Sequence, residues 1–146
     1  LGVFEYSRED GTPAGTMEQD PDLAVPAEVK RRRKAEIMTL QQSLAFEQAE
    51  FLAEQFDPDA PDDSGVRLDI MIEEAVGRGD AGAALYRGRA YFQAPQIDAV
   101  TIVRSQDSLT TGDLTRCVIV ASDGYDLVAV PESELEGWLA SMHRSA

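Results

Sequence analysis

Val66-Arg67-Leu68-Asp69-Ile70-Met71-Ile72-Glu73 alternates in polarity along its length. Val66, Leu68, Ile70 and Ile72 fall on one side of an extended chain, and the intervening positions are charged apart from Met71. A period of two with one apolar side is the pattern of a strand that buries one face. Similar short runs follow at 85–93, 99–103, 114–121 and 126–130. Gly77-Arg78-Gly79-Asp80 with nearby Gly82, then Gly112-Asp113 and Asp123-Gly124, punctuate them as turns. Five short strands so closely spaced predict a small antiparallel β-barrel of the OB type over 65–131.

Outward from this block the period changes. Residues 26–56 predict one long helix. Pro26 suits a first helical turn, no Gly or Pro interrupts afterwards, and Ala, Glu, Gln and Leu dominate. Ile37, Leu40, Leu44, Phe51 and Phe56 fall near one face, with Met38 and Leu52 flanking it. Asp57-Pro58-Asp59-Ala60-Pro61-Asp62-Asp63 stops the helix and reads as an acidic linker. Beyond Pro131, Leu135, Trp138, Leu139 and Met142 have helical spacing, and Ser133 and Glu136 stand at capping-box separation. Residues 1–25 are rich in Gly, Pro, Asp and Glu, with Gly2-Val3-Phe4-Glu5-Tyr6 as a short strand candidate. The resulting class is α+β, in four regions: 1–25, 26–64, 65–131 and 132–146.

Composition limits what such a chain can do. The 146 residues carry 13 basic and 27 acidic groups, a net charge of −14 that repels nucleic acid and anionic lipid at long range and attracts a basic partner. The imbalance is greatest in residues 1–64 and smallest over 65–131. No apolar run approaches the roughly 18 residues of a transmembrane helix, and the N-terminal residues carry no secretory pattern. A reduced, cytoplasmic setting is expected, and the start at Leu1 suggests a piece of something longer. A single cysteine, Cys117, excludes an intramolecular disulfide, and with one histidine, His143, it leaves no ligand set for zinc or an iron–sulfur cluster. Cys117 lies in a Val/Ile-rich strand and reads as a small buried apolar residue.

Other clusters have plain readings. Lys30-Arg31-Arg32-Arg33-Lys34 could contact phosphate. Successive helical positions turn by about 100° each, so the five spread around the helix and read as a solvated belt. The carboxylates Asp57, Asp59, Asp62 and Asp63 lack the spacing of a calcium loop.

One stretch is more specific. Gly88-Arg89-Ala90-Tyr91-Phe92-Gln93-Ala94-Pro95-Gln96-Ile97-Asp98 precedes the strand at 99–103, followed by Gly112-Asp113-Leu114 and Ala121-Ser122-Asp123-Gly124-Tyr125-Asp126-Leu127. This resembles the TRAM domain, and its closing Tyr125-Asp126-Leu127 resembles the RimO branch of the radical SAM methylthiotransferases. Phe4-Glu5-Tyr6-Ser7-Arg8-Glu9-Asp10-Gly11-Thr12-Pro13-Ala14 is similar to a segment late in that family's catalytic barrel. Val25-Pro26-Ala27-Glu28-Val29-Lys30 and Ile37-Met38-Thr39-Leu40-Gln41 resemble the helix joining barrel to TRAM. Gln96 and Ala99 depart from the usual Glu and Gly, and residues 132–146 extend past the usual TRAM end.

The resemblance implies a parent enzyme with two iron–sulfur (4Fe-4S) clusters and S-adenosylmethionine. That enzyme would add a methylthio group to the β-carbon of an aspartate in the basic ribosomal protein S-twelve. Residues 1–25 would be the end of the radical SAM barrel, loosely packed in isolation, and 26–64 the joining helix and linker. With no cluster cysteines, this chain would recognise substrate without catalysing. Arg89, Asp98, Tyr125 and Asp126 are the candidate substrate contacts, against a structural reading in which Asp98 and Asp126 fix turns and Tyr125 is core. Gly11, Thr12 and Pro13 are candidates for the end that meets S-adenosylmethionine. Two alternatives stand beside this one: the tRNA-modifying branch, whose TRAM domain binds tRNA, and a non-enzymatic acidic OB-like adaptor. None of them involves a membrane.

Overall fold

A computed structural model describes residues 2–79, 82–95 and 98–143. Asp80, Gln96 and the end of the C-terminal extension, expected in a turn, a variant motif and a helical tail, lie outside the described residues. The chain divides into two compact units, Leu1–Ala45 and Phe46–Ala146, and the division falls inside the long helix.

The first unit is held by local bonds. The expected strand over 2–6 is absent, and the chain there is irregular with Phe4 90% exposed. A strand needs a partner for its backbone groups, and these residues pair with none among those described. A short helix, α1 (Pro13–Met17), follows because Thr12 caps it: its Oγ accepts from Gly15 N at 3.0 Å and donates to the Glu9 carbonyl at 2.8 Å. Gly15 is obligatory there, since a Cβ would lie 2.0 Å from the Glu9 oxygen. The long helix α2 (Ala27–Glu54) begins just after Pro26, whose carbonyl accepts from Val29 N and Lys30 N. Ile37, Leu40 and Leu44, on the expected apolar stripe, are exposed.

The second unit is a five-stranded barrel. Its strands are β1 (Arg67–Arg78), β2 (Ala84–Arg89), β3 (Thr101–Ser105), β4 (Leu114–Asp123) and β5 (Asp126–Pro131). They close in the order β1-β2-β3-β5-β4, with β4 returning to β1. Four pairings are antiparallel, as expected. The fifth, β3 with β5, is parallel, so the sheet is mixed. β1 outruns its expected span and carries Gly77 and Arg78 within the ladder to β2, through two irregularities of register. Bulges of this kind let glycine sit inside a strand where sequence suggests a turn.

The alternation of β1 decides what lies inside. Ile70 and Ile72 point into the barrel beside Val103, Cys117, Ile119, Leu127 and Ala129, all at most 2% exposed. Gly88 on β2 lets β1 come close, because a Cβ there would meet Ile70 Cγ2 and the Met71 carbonyl at 2.7 Å. Ala49 and Leu52, from the last turns of α2, join this core. Phe51 on the expected stripe is exposed, so here the helix packs through the face of Ala49 rather than that of Phe51.

The acidic segment 57–63 is folded back on itself. Ser64 Oγ accepts from Asp57 N at 2.9 Å, and Gly65 N donates to Gln55 O. Arg67 closes the loop by donating to the carbonyls of Pro61, Asp62, Ser64 and Gly65 and to Glu132 Oε1. After β5 the chain turns through a 3-10 segment, Glu132–Glu134, into α3 (Leu135–His143). The 3-10 segment starts after Pro131 without a side-chain cap, and Ser133 lies within it. The anchor is Glu134 instead, whose carboxylate accepts from Ser105 Oγ and from Gln106 N at 2.5 and 2.6 Å. Leu135 and Leu139 pack on Val118, on the outside of the barrel, with Phe56 and Trp138 beside them. Burial of side chains of this size contributes about 1.5–3 kcal/mol each.

Candidate partner-binding face

β4, β1 and β2 lie side by side, and their outward residues form rungs. On one rung Met71 stands between Leu114 of β4 and Arg89 of β2. On β1, Asp69 faces Arg116 of β4, and their side chains pair at 3.3 Å. Arg89 Nε donates to Glu73 Oε1 at 3.0 Å, and Arg87 reaches Glu74 at 2.7 Å. A groove of about 450 Å³ runs across these rungs, with Arg89, Tyr91, Met71, Leu114 and Arg116 among its walls.

Tyr91 and Phe92 follow β2 in a turn, with their rings edge to face at 5.2 Å between centroids. Buried hydrogen bonds set that turn. Gln93 Oε1 accepts from Ala90 N and from Thr101 Oγ, both at 2.8 Å, and Gln93 and Thr101 are buried. A hidden amide therefore holds Tyr91 88% exposed. Adjacent aromatics in a strand would point to opposite sides; in this turn both reach solvent.

The four residues expected at a substrate face separate into two kinds. Arg89 lines the groove. Asp98 accepts from Ala94 N at 2.8 Å, and Asp126 accepts from Val100 N at 2.9 Å, so both carboxylates fasten backbone turns. Tyr125 is half exposed at the β4–β5 turn, with the Phe46 ring against it at 5.3 Å. Only Arg89 of the four belongs to the groove, and sequence reasoning missed Tyr91, Met71 and Leu114. The usable signal was the unbroken pair Tyr91-Phe92 just before Pro95, too apolar for an ordinary solvated turn.

In the first unit, Thr12 and Pro13 start α1, and Gly11 precedes them with a positive φ of 79°. Lys30 pairs with Glu18 and lies over the Tyr6 ring, and Arg32 pairs with Glu36 at 3.6 Å, so part of the basic belt is internally matched. Cys117 is fully buried in β4. Burial first, then the nearby charges of Glu134 and Asp69, pushes its thiol up from 9.0 to about 12. Such a group is neither a nucleophile nor a ready metal ligand. Among the described residues no cluster of His, Cys, Asp and Glu could hold a metal ion, and no helix is long and apolar enough to cross a membrane.

The barrel topology and its sequence define a class. Residues 65–131 match the TRAM domain. Beyond that module, the chain is similar to proteins named ribosomal protein uS12 methylthiotransferase RimO. It is 33% identical to that of Lachnoclostridium phytofermentans over 90% of this chain, and 39% identical to that of an Anaeromyxobacter species over 88%. The protein from Aquifex aeolicus is 34% identical over 87% of the chain. Along about nine-tenths of its length the chain is similar to the C-terminal, TRAM-containing part of these RimO proteins. It spans about a quarter of the length of these relatives.

Proposed function

We propose that this chain is the substrate-recognising, C-terminal part of a radical SAM methylthiotransferase that modifies an aspartate of ribosomal protein uS12. The observation that carries the reading is the match to RimO proteins along nine-tenths of the chain, through TRAM domain and helix alike. The net charge of −14 supports a cationic protein partner over RNA. In this reading 1–25 is the end of the catalytic barrel, 26–64 the joining helix and acidic loop, and 132–146 an added brace. Gly11, Thr12 and Pro13 then sit toward the S-adenosylmethionine end.

Iron–sulfur clusters and S-adenosylmethionine belong to the chemistry of such enzymes, and the residues present here do not by themselves form a site for either group. One buried thiol with a pKa pushed up to about 12 cannot supply the roughly three or four thiolates of a cubane cluster. The Thr12 hydroxyl is engaged by Glu9 and Gly15, and the face of Gly11 is open, with no cradle around it. The chain's own contribution is therefore to bind and orient substrate.

The test is an NMR titration of the labelled chain with purified uS12, and in parallel with an anticodon stem-loop RNA, at moderate salt. Shifts confined to the barrel with uS12 alone support the proposal. A response to RNA alone moves the chain to the tRNA-modifying branch, and a response to neither removes recognition from this part of the protein.

A further inference from the structure

We infer that the outer face of β4, β1 and β2, centred on Tyr91, Met71 and Leu114, is the docking surface for a cationic protein segment that seats an apolar side chain there. The inference rests on the proposed recognition role and gives it a place and a chemistry.

Three observations point to this face. Its centre is apolar and open: Tyr91, Leu114 and Met71 are 88%, 66% and 38% exposed, with the charged Asp69, Arg89 and Arg116 beside them in the groove. It is also pre-set. The buried Gln93–Thr101–Ala90 hydrogen bonds hold the turn that presents Tyr91, so little side-chain freedom is lost when a partner arrives. Finally, its rim is electrically matched. Arg87 answers Glu74, Arg89 answers Glu73 and Arg116 answers Asp69.

That rim selects the class of partner. A phosphate backbone would have to displace these carboxylates and approach a chain of net charge −14. A polypeptide can set one apolar side chain between Tyr91, Met71 and Leu114 and leave the ion pairs as a polar border. An apolar centre enriched in Tyr, Met and Arg inside a polar rim is the anatomy of protein interfaces. The chain's net charge of −14 favours association with a cationic segment.

The experiment is calorimetric titration of the full 146-residue chain with purified uS12, comparing wild type with Tyr91→Ser, Leu114→Ser and, as a control outside the groove lining, the exposed α3 substitution Met142→Ser. Thermal melts check that each variant is folded, which the exposure of these side chains favours. The expected result is a loss of about tenfold or more for Tyr91→Ser and Leu114→Ser, as for central interface residues, with Met142→Ser unchanged. Wild-type binding that survives both face substitutions overturns this inference and leaves the recognition role standing. No binding by the wild type overturns both. Tight binding of a single-stranded RNA oligonucleotide that falls steeply with salt and disappears in Tyr91→Ser gives the face to nucleic acid instead.

Discussion

Residues up to Ala45 and residues from Phe46 onward are built from the same alphabet and hold together by different means. The barrel unit encloses Ile70, Ile72, Val103, Ile119 and Leu127 almost completely. In the first unit, Gly15 is the only buried residue among those described, while Phe4, Met17, Leu23, Leu40 and Leu44 are about half exposed or more. Hydrophobic burial is the dominant favourable term in folding. One region has it, and the other relies on the Thr12 cap, the Lys30–Glu18 pair and helical hydrogen bonds. The contrast teaches that the barrel is a folding unit in its own right, whereas the first unit carries apolar surface without a core of its own.

The contrast can be broken first at Ile70. Ile70→Ala should destabilise the barrel by about 3–4 kcal/mol, as expected for a fully buried aliphatic side chain, measured by urea unfolding with Trp138 fluorescence. A loss below 1 kcal/mol would mean that the core is far looser than its burial implies. Next comes Gln93→Leu, which leaves the buried Ala90 N–H unpaired. We expect a loss of about 1–3 kcal/mol, with faster amide exchange around Tyr91.

Cys117 sharpens the comparison through pH. Its folded pKa, about 12, is raised above the ordinary 9.0. The proton is therefore held more tightly in the folded state. Below pH 9 the thiol does not make stability depend on pH. Between pH 9 and about 12 the unfolded chain ionises first, and stability falls by up to about 1.4 kcal/mol per pH unit. Cys117→Ala should remove that component of the slope in denaturant midpoints measured between pH 8 and 10.5. An unchanged slope would place the alkaline loss elsewhere. The smallest effect belongs to the first unit: Leu40→Ser should shift the unfolding midpoint by less than about 0.5 kcal/mol, the usual range for exposed positions.

What the sequence made legible follows the same division. The alternation from Val66 to Ile72 is a direct imprint of one buried face, so strand existence and inside–outside assignment could be read. Pairing partners leave no such imprint. The parallel contact of β3 with β5 depends on how the barrel closes, and Gly77 reads as a turn until the bulges of β1 are seen. On α2, Ile37, Leu40, Leu44 and Phe51 form the more obvious stripe, yet the packed face is that of Ala49 and Leu52. Small residues at a contact give almost no hydropathy signal. At the candidate site Arg89 was legible through its motif, and Asp98 and Asp126 were legible as turn residues. Tyr91, Met71 and Leu114 were not, because their meeting depends on a register that brings three separate segments together.

The most direct measurement is amide hydrogen exchange of the chain alone and with uS12. Slow exchange through β1, β2 and β4, fast exchange over Val3–Tyr6, and new protection around Tyr91 and Met71 on adding uS12 would agree with the account. Strong protection of Val3–Tyr6 in the chain alone, or no change at Tyr91 and Met71 with uS12 at saturating concentration, would contradict it.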